Sequence, residues 1–285
     1  MLTAGGSVGY INEPFNLAAS PGSFRIPVDH WYAYVSAENE DRILPPLRRA
    51  LAFDYPLLRE LGRCRNQTDL LHTLRSWRAF ARGRGHRPLV KEPHAVFSIE
   101  WFAERLASDV VVTVRHPAAV VSSWKRLEWN FDFTNLLEQR ALMRDWLEPF
   151  RAEMEAALLP DKDLVHKVAL LWHIVYSLVD RHRERLTRVY VCRQEDLSRD
   201  PVREYGKLYD AVDLSFTDDA VEAVRASSSG ENPKETRVEE PHETRIDSRA
   251  NLENWKQRLS GGEISRIREL TEETAGLYYP SLEWG

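Results

Sequence analysis

The sequence lacks the features that mark extracellular, membrane-spanning and metal-binding proteins. It contains only two cysteines, Cys64 and Cys192, and their wide separation gives neither a CxxC pair nor a disulfide framework. The longest apolar stretch, residues 168–179, is 12 residues long and contains His173, so it is too short to cross a bilayer. No charged segment followed by an apolar one opens the chain. We therefore expect a cytoplasmic protein with no membrane span.

The sequence also has no excess of positive charge. The net charge is −5, which gives no overall basic field for binding nucleic acid. Hydrophobic residues make up 43% and charged residues 29%, as is typical of a soluble globular protein. The length is sufficient for a large α/β domain with a substantial core. We therefore expect one domain over residues 1–285, with no nucleic-acid partner.

Short apolar runs alternate with longer segments of helical periodicity. The runs with strand character are residues 8–11, 88–91, 110–114 and 188–192. Helical periodicity is found in residues 39–61, 66–82, 98–107, 117–127, 135–159, 163–186 and 261–276. This alternation predicts an α/β fold with a central parallel sheet flanked by helices. The polar, turn-rich segment 227–249 is predicted to be a long loop or lid.

Charged residues and prolines follow the predicted strands. The segments that follow the four strands, in chain order, are Asn12-Glu13-Pro14, Lys91-Glu92-Pro93-His94, Arg115-His116-Pro117 and Arg193-Gln194-Glu195-Asp196-Leu197. Ligands of open parallel sheets bind beyond the carboxyl ends of the strands. We therefore expect a functional site at this edge of the sheet.

The third of these segments predicts an anion site. Arg115 ends a β-branched run, and Pro117 stands where the first turn of a helix tolerates proline. A strand that leads directly into a helix directs free backbone N–H groups and the positive end of the helix dipole toward one point. Ser123 lies two helical turns after Arg115 and can add a hydroxyl donor. In the alternative interpretation, Arg115 forms a surface salt bridge and the serine bonds to its own helix.

The order of the motifs resembles that of the sulfotransferase family. They are Asn12-Glu13-Pro14-Phe15, Lys91-Glu92-Pro93-His94, the strand leading into Arg115 with Ser123, the Glu195-Asp196-Leu197 segment, and Arg249 upstream of Trp255-Lys256. The resemblance extends from about residue 8 to residue 270. It implies a P-loop-like α/β enzyme that transfers a sulfonate group from 3′-phosphoadenosine 5′-phosphosulfate (PAPS) to a hydroxyl or amine, with no metal requirement.

The resemblance also implies roles for individual residues. Arg115 and Ser123 stand where the family binds the 3′-phosphate of PAPS, and Arg249, six residues before Trp255, is expected to join them. Gln194 stands where the family often has a tyrosine near the adenine, so this contact is not expected here. The family's paired acids after the fourth strand, here Glu195 and Asp196, have a structural role. A Mg²⁺ site is the alternative interpretation of such a pair.

The beginning of the chain departs from the family pattern. The family starts with a strand and a glycine-rich loop whose backbone N–H groups hold the 5′-phosphosulfate. Here Gly5-Gly6-Ser7-Val8-Gly9 lacks the Lys/Arg-Ser-Gly-Thr order and precedes a strand instead of a helix. We expect that the chain starts about 20 residues late, which is one strand plus one phosphate loop. Without this loop, we expect impaired activity.

Sulfonate transfer needs a cation for the sulfonate oxygens and a base for the acceptor proton. Lys91 is the expected cation. Glu13 is the favoured base, since several relatives carry a catalytic glutamate after their first helix. His94, whose imidazole titrates near neutrality, and then Glu92 are the alternatives. His94 lies one residue beyond the histidine position of cytosolic relatives, where this chain has Pro93.

Two other functions remain open at this point. A nucleotide-dependent kinase on the same scaffold would need a Walker lysine, which the sequence lacks. A non-catalytic nucleotide-binding protein is favoured by the missing loop. The expected acceptor is a small molecule, a glycan or a lipid, because the aromatic residues of segment 15–86 suit each of them. The sequence does not determine the oligomeric state.

Overall fold

A computed structural model describes residues 1–236, 245–279 and 284. Its strands are β1 (Val8–Asn12), β2 (Arg87–Lys91), β3 (Val110–Val114) and β4 (Val189–Arg193). Strand β1 pairs with β2 and strand β3 pairs with β4, both in parallel. The α/β class and the parallel pairing predicted from the sequence are confirmed. Within the described residues the strands form two separate two-stranded sheets.

Helices make up most of the remaining chain. The α-helices are α1 (Glu40–Leu51), α2 (Leu57–Leu61), α3 (Gln67–Gly83), α4 (Ile99–Arg105), α5 (Pro117–Arg126), α6 (Thr134–Leu137), α7 (Arg140–Leu142), α8 (Arg151–Ala156), α9 (Leu164–Arg185), α10 (Gln194–Arg199), α11 (Pro201–Ala211), α12 (Asp218–Ser228), α13 (Asn254–Arg258) and α14 (Gly261–Gly276). No helix in the described ranges has the length and apolar character needed to span a bilayer.

Two segments predicted as single long helices are interrupted. The 39–61 segment breaks after α1, where Phe53 adopts a left-handed backbone conformation with φ of +54°. The 135–159 segment divides into short helical pieces, including a π-helical turn at Met143–Leu147 and a 3₁₀ turn at Glu148–Phe150. Pro149 lies in that 3₁₀ turn, and its missing N–H breaks the α-helical hydrogen-bond pattern.

Each sheet packs on its own apolar cluster. Ile11 at the end of β1 joins Phe53 and Phe80 in one buried cluster. Val114 at the end of β3 joins Trp172 of the central helix α9 in another. Asp163 is the N-cap of helix α9, and its side chain accepts a hydrogen bond from the His166 N–H at 3.0 Å. Residues near the carboxyl ends of β1 and β3 are thereby packed against helices.

The glycine-rich segment at residues 5–9 packs closely at β1. Residues 1–7 form turns, and β1 follows them directly. Gly9 lies so close to the Phe53 ring and to Gly83 that a Cβ atom there would overlap both. This glycine therefore allows α3 to approach β1.

The predicted 227–249 loop starts slightly later than expected. Helix α12 continues through Ser228, and a 3₁₀ turn begins at Ala250. Residues 237–244 of this loop lie outside the described residues.

Candidate active site

The carboxyl ends of β1 and β2 bring Glu13 and Lys91 together. Asn12 is the register partner of Lys91, and the Glu13 N–H donates to the Lys91 carbonyl oxygen at 2.8 Å. The Lys91 Nζ forms an ion pair with Glu13 Oε1, while Asn16 Nδ2 donates to Glu13 Oε2 at 2.7 Å. Glu13 is buried, whereas the Lys91 side chain is 44% exposed. The ion pair therefore joins a buried carboxylate to a lysine that solvent can reach.

Glu13 is held in an unusual backbone conformation. Its φ is +43°, in the left-handed region that costs a non-glycine residue about 1–3 kcal/mol. Burial raises the pKa of Glu13, but hydrogen bonds from Lys91 and Asn16 and the nearby charges of Lys91 and His94 outweigh it, so the net pKa is lowered. In this state Glu13 is a charged carboxylate whose basicity is reduced by its partners.

Glu92 and His94 form a second contact beside the first. Glu92 Oε2 accepts from the Phe15 N–H at 2.7 Å, and Oε1 accepts from the His94 N–H at 3.1 Å. The same Oε1 lies 3.1 Å from His94 Nδ1. The His94 ring packs against Trp31 and Tyr32, with centroid separations of 4.7 and 5.6 Å. Both oxygens of Glu92 therefore hold backbone and imidazole groups in place, which leaves Glu92 the least suited of the three candidate bases.

The strand-to-helix junction at Arg115 has the predicted form. Strand β3 ends at Val114, and α5 begins at Pro117 with His116 as its N-cap. Arg115 Nη1 donates to Ser123 Oγ at 3.0 Å. The Arg115 carbonyl oxygen accepts from Trp172 Nε1 at 2.9 Å, which fixes the turn. The structure therefore brings Arg115 and Ser123 together, as their spacing predicts.

Arg115 has no carboxylate within ion-pair distance among the residues that the structure describes. Burial lowers its pKa and the charge of Arg258 adds to this effect, while Glu195 and Tyr279 oppose it. The Glu195 carboxylate accepts from the His116 N–H at 2.9 Å and from the Tyr279 hydroxyl at 2.9 Å. Glu195 thus supports the turn, which agrees with its expected structural role, and leaves the Arg115 guanidinium available to an anion.

The structure does not bring Arg249 to this site. Its guanidinium donates to the Arg199 carbonyl oxygen at 3.1 and 2.6 Å. That oxygen ends α10, where a cation is favoured by the helix dipole. The prediction that Arg249 joins the site, made because it lies six residues before Trp255, is therefore wrong.

Two other arginines lie near the serines of α5 and were missed by the sequence reasoning. Arg258 ends α13, and its Nη1 lies 3.4 Å from Ser122 Oγ. Arg126 ends α5, three residues after Ser123, and its charge lowers the pKa of Arg258 after the larger effect of burial. The i to i+3 spacing of Ser123 and Arg126 was a signal in the sequence. No comparable signal pointed to Arg258, because its position depends on the packing of α13.

Tyr176 of α9 packs near the end of β3. Its hydroxyl donates to the Thr113 carbonyl oxygen at 2.9 Å, near the end of β3. Burial raises the pKa of Tyr176, Tyr32 and Glu195 raise it further, and Arg115 opposes them. Burial also raises the pKa of Tyr32 to about 12. The charges of Tyr32 and Arg115 therefore both act on the Tyr176 hydroxyl.

A family model described as the sulfotransferase domain matches residues 73–278 of this chain, well over half of its length. The chain belongs to the sulfotransferase domain family. The matched range of this sulfotransferase contains all the candidate site residues except Glu13. The match confirms the predicted family and the predicted class of enzyme.

Comparison with solved structures finds a chain described as the sulfotransferase domain from the curacin biosynthetic pathway. The two chains are 13% identical, the alignment covers 93% of this chain and 96% of the other, and the TM-score is 0.45. No curated protein matches this sulfotransferase. Within the described residues, no group of three or more His, Cys, Asp and Glu side chains is placed to hold a metal ion.

Proposed function

We propose that this sulfotransferase uses PAPS as its donor and transfers the sulfonate to a hydroxyl or amine of a small-molecule, glycan or lipid acceptor. The observation that carries the proposal is the Arg115–Ser123 contact at the start of α5, at 3.0 Å. Arg115 is half-buried, and a desolvated guanidinium without a carboxylate partner is costly unless an anion completes it. A phosphate accepts charge-assisted hydrogen bonds from a guanidinium and a hydroxyl at once, so these residues fit the donor's 3′-phosphate.

In the reaction we assign Lys91 to the sulfonate oxygens and Glu13 to the acceptor proton. A sulfonate group near Lys91 would compete with Glu13 for the ammonium. Withdrawal of Lys91 would remove a hydrogen bond and a charge that lower the pKa of Glu13. Glu13 would then become a stronger base when the donor is bound, which couples proton removal to the presence of the group being transferred.

His94 is the second candidate for the base. The contact of 3.1 Å between its Nδ1 and Glu92 Oε1 favours a fixed ring orientation and tautomer. The aromatic contacts with Trp31 and Tyr32 limit its rotation further. We rank Glu13 first because Lys91, the proposed sulfonate cation, touches Glu13 directly.

The cellular location and the domain organisation belong to the same proposal. Cys64 and Cys192 are both free thiols, in keeping with a reducing cytoplasm. We also retain the prediction of a single domain.

Calorimetric titration with 3′-phosphoadenosine 5′-phosphate (PAP) and with ATP tests the donor assignment. We expect binding of PAP only, and we expect Arg115→Gln to abolish it. Arg78→Gln is the matched control, because Arg78 is an exposed arginine of α3. Equal binding of ATP, or PAP binding that survives the loss of Arg115, would contradict the proposal and favour the kinase or the non-catalytic binding protein.

A further inference from the structure

Arg115, Arg126 and Arg258, hereafter the arginine cluster, surround the serines of α5. Arg115 contacts Ser123, and Arg258 contacts Ser122. The side chains of Arg126 and Arg258 are only 21% and 25% exposed. Burial lowers the pKa of Arg258 and the charge of Arg126 adds to this effect. Three guanidinium groups in one partly buried region repel each other, so the cluster needs an anion.

Glu235 supplies that anion from the loop after α12. Its carboxylate forms an ion pair with Arg258 Nη2 and lies 3.9 Å from Arg126 Nη1. The next residue continues the contact, since the Thr236 carbonyl oxygen and hydroxyl accept from Arg126 at 2.7 and 3.0 Å. Glu235 is the only carboxylate paired with the cluster among the described residues.

We propose that Glu235 is an internal substitute for the donor phosphate and that it holds Arg126 and Arg258 of the cluster until an anionic ligand displaces it. The proposal rests on the proposed function, because it takes the 3′-phosphate of the donor as that ligand. A phosphate on Arg115 and Ser123 would place negative charge beside Glu235. Like-charge repulsion then disfavours the Glu235 contacts, and Arg126 and Arg258 become free to bind the phosphate. Donor binding therefore releases the Glu235–Thr236 segment.

The Glu235→Gln variant tests the competition because it keeps the side-chain size and removes the charge. Partly exposed ion pairs are individually weak, so we expect PAP to bind only about three- to tenfold more tightly. Glu231→Gln is the matched control. Glu231 is an exposed glutamate of the same loop, and no ion pair involves it within the described part of the chain. We expect this control to bind PAP like the wild type.

Arg258→Gln tests whether the cluster receives the phosphate. We expect PAP affinity to fall about tenfold or more, since a charge-assisted hydrogen bond is lost. Unchanged affinity in this variant would remove Arg258 from the donor site.

The outcomes separate the two proposals. If Glu235→Gln binds PAP no more tightly than Glu231→Gln while Arg115→Gln abolishes binding, Glu235 does not compete, and the proposed function stands. If neither the wild type nor Glu235→Gln binds PAP, both proposals fail.

Discussion

His182 is expected to make this sulfotransferase sensitive to acid. It lies on α9 with 1% of its surface exposed, and its ring contacts Trp146 edge-on at a centroid distance of 4.9 Å. Neither ring nitrogen has a hydrogen-bond partner within the described residues. Burial, and after it the charge of Arg185, lowers the pKa of His182 to about 4. The native protein therefore holds this imidazole neutral.

The pKa difference gives the size of the effect. The ordinary pKa of a histidine, 6.5, and the native pKa of His182, about 4, differ by about 2.5. A pKa difference of 1 corresponds to about 1.4 kcal/mol. Between these two values the unfolded chain binds the proton and the native protein does not. Stability therefore rises with pH in this range. The contribution of His182 is complete above pH 6.5, and about 3 kcal/mol is lost as the pH falls to about 4.

His182→Leu removes both the titration and two buried unpaired nitrogens. We expect the free energy of unfolding at pH 7.5 to rise by about 1–2 kcal/mol. The gain should grow by about 3 kcal/mol as the pH is lowered to 4. Urea denaturation at several pH values measures both quantities. Carboxylates also titrate in this range, but their contribution is the same in both proteins and cancels in the difference between the two free energies of unfolding.

His72→Leu is the control, because His72 is exposed on α3. The reasoning would be refuted if the stabilities of His182→Leu and the wild type changed in parallel between pH 6.5 and 4.5. A control that gained as much acid stability as His182→Leu would refute it equally, since burial would then not be the cause.

Three further predictions concern the site and the fold. Glu13→Gln should lower kcat by about 10²–10⁴ in a steady-state assay of sulfonate transfer, whereas His94→Gln should change it by less than about tenfold; the reverse order would make His94 the base. Ser123→Ala should weaken PAP binding by about five- to tenfold in calorimetry, and equal affinity would exclude a hydroxyl contact. Gly9→Ala should reduce the free energy of unfolding by about 2 kcal/mol, because its Cβ would overlap Phe53. An unchanged denaturation midpoint would show that α3 shifts without cost.

The parts of the site that sequence reasoning predicted depend on short-range geometry. Glu13 and Lys91 meet because Glu13 follows β1, Lys91 ends β2, and the two strands are parallel neighbours. Arg115 and Ser123 meet because eight residues across a strand-to-helix turn bring the serine back over the strand end. The Arg115–Ser123 contact follows from local rules, whereas for Glu13 and Lys91 the sequence predicted only that both lie at the carboxyl edge of the strands.

The parts that were missed depend on packing between distant segments. Arg258 reaches Ser122 because α13 rests on α5, where the Trp255 ring stacks on His116 at 4.7 Å. The same docking leaves Arg249 against the end of α10. Their spacing from Trp255 in the sequence indicated that these arginines lie in the same part of the chain. The packing of α13 on α5 determines which of them faces the serines.

The electrostatics of the molecule explain why internal ion pairs occupy the site. A chain with net charge −5 repels an anionic ligand over long range, so attraction of such a ligand depends on local cations. Such clusters are unstable when buried unless carboxylates neutralise them. Lys91 is paired with Glu13, and Arg126 and Arg258 are paired with Glu235. If PAPS is the donor, as proposed, its phosphate and sulfonate oxygens would replace these carboxylates, and selectivity would arise from their fit rather than from net attraction.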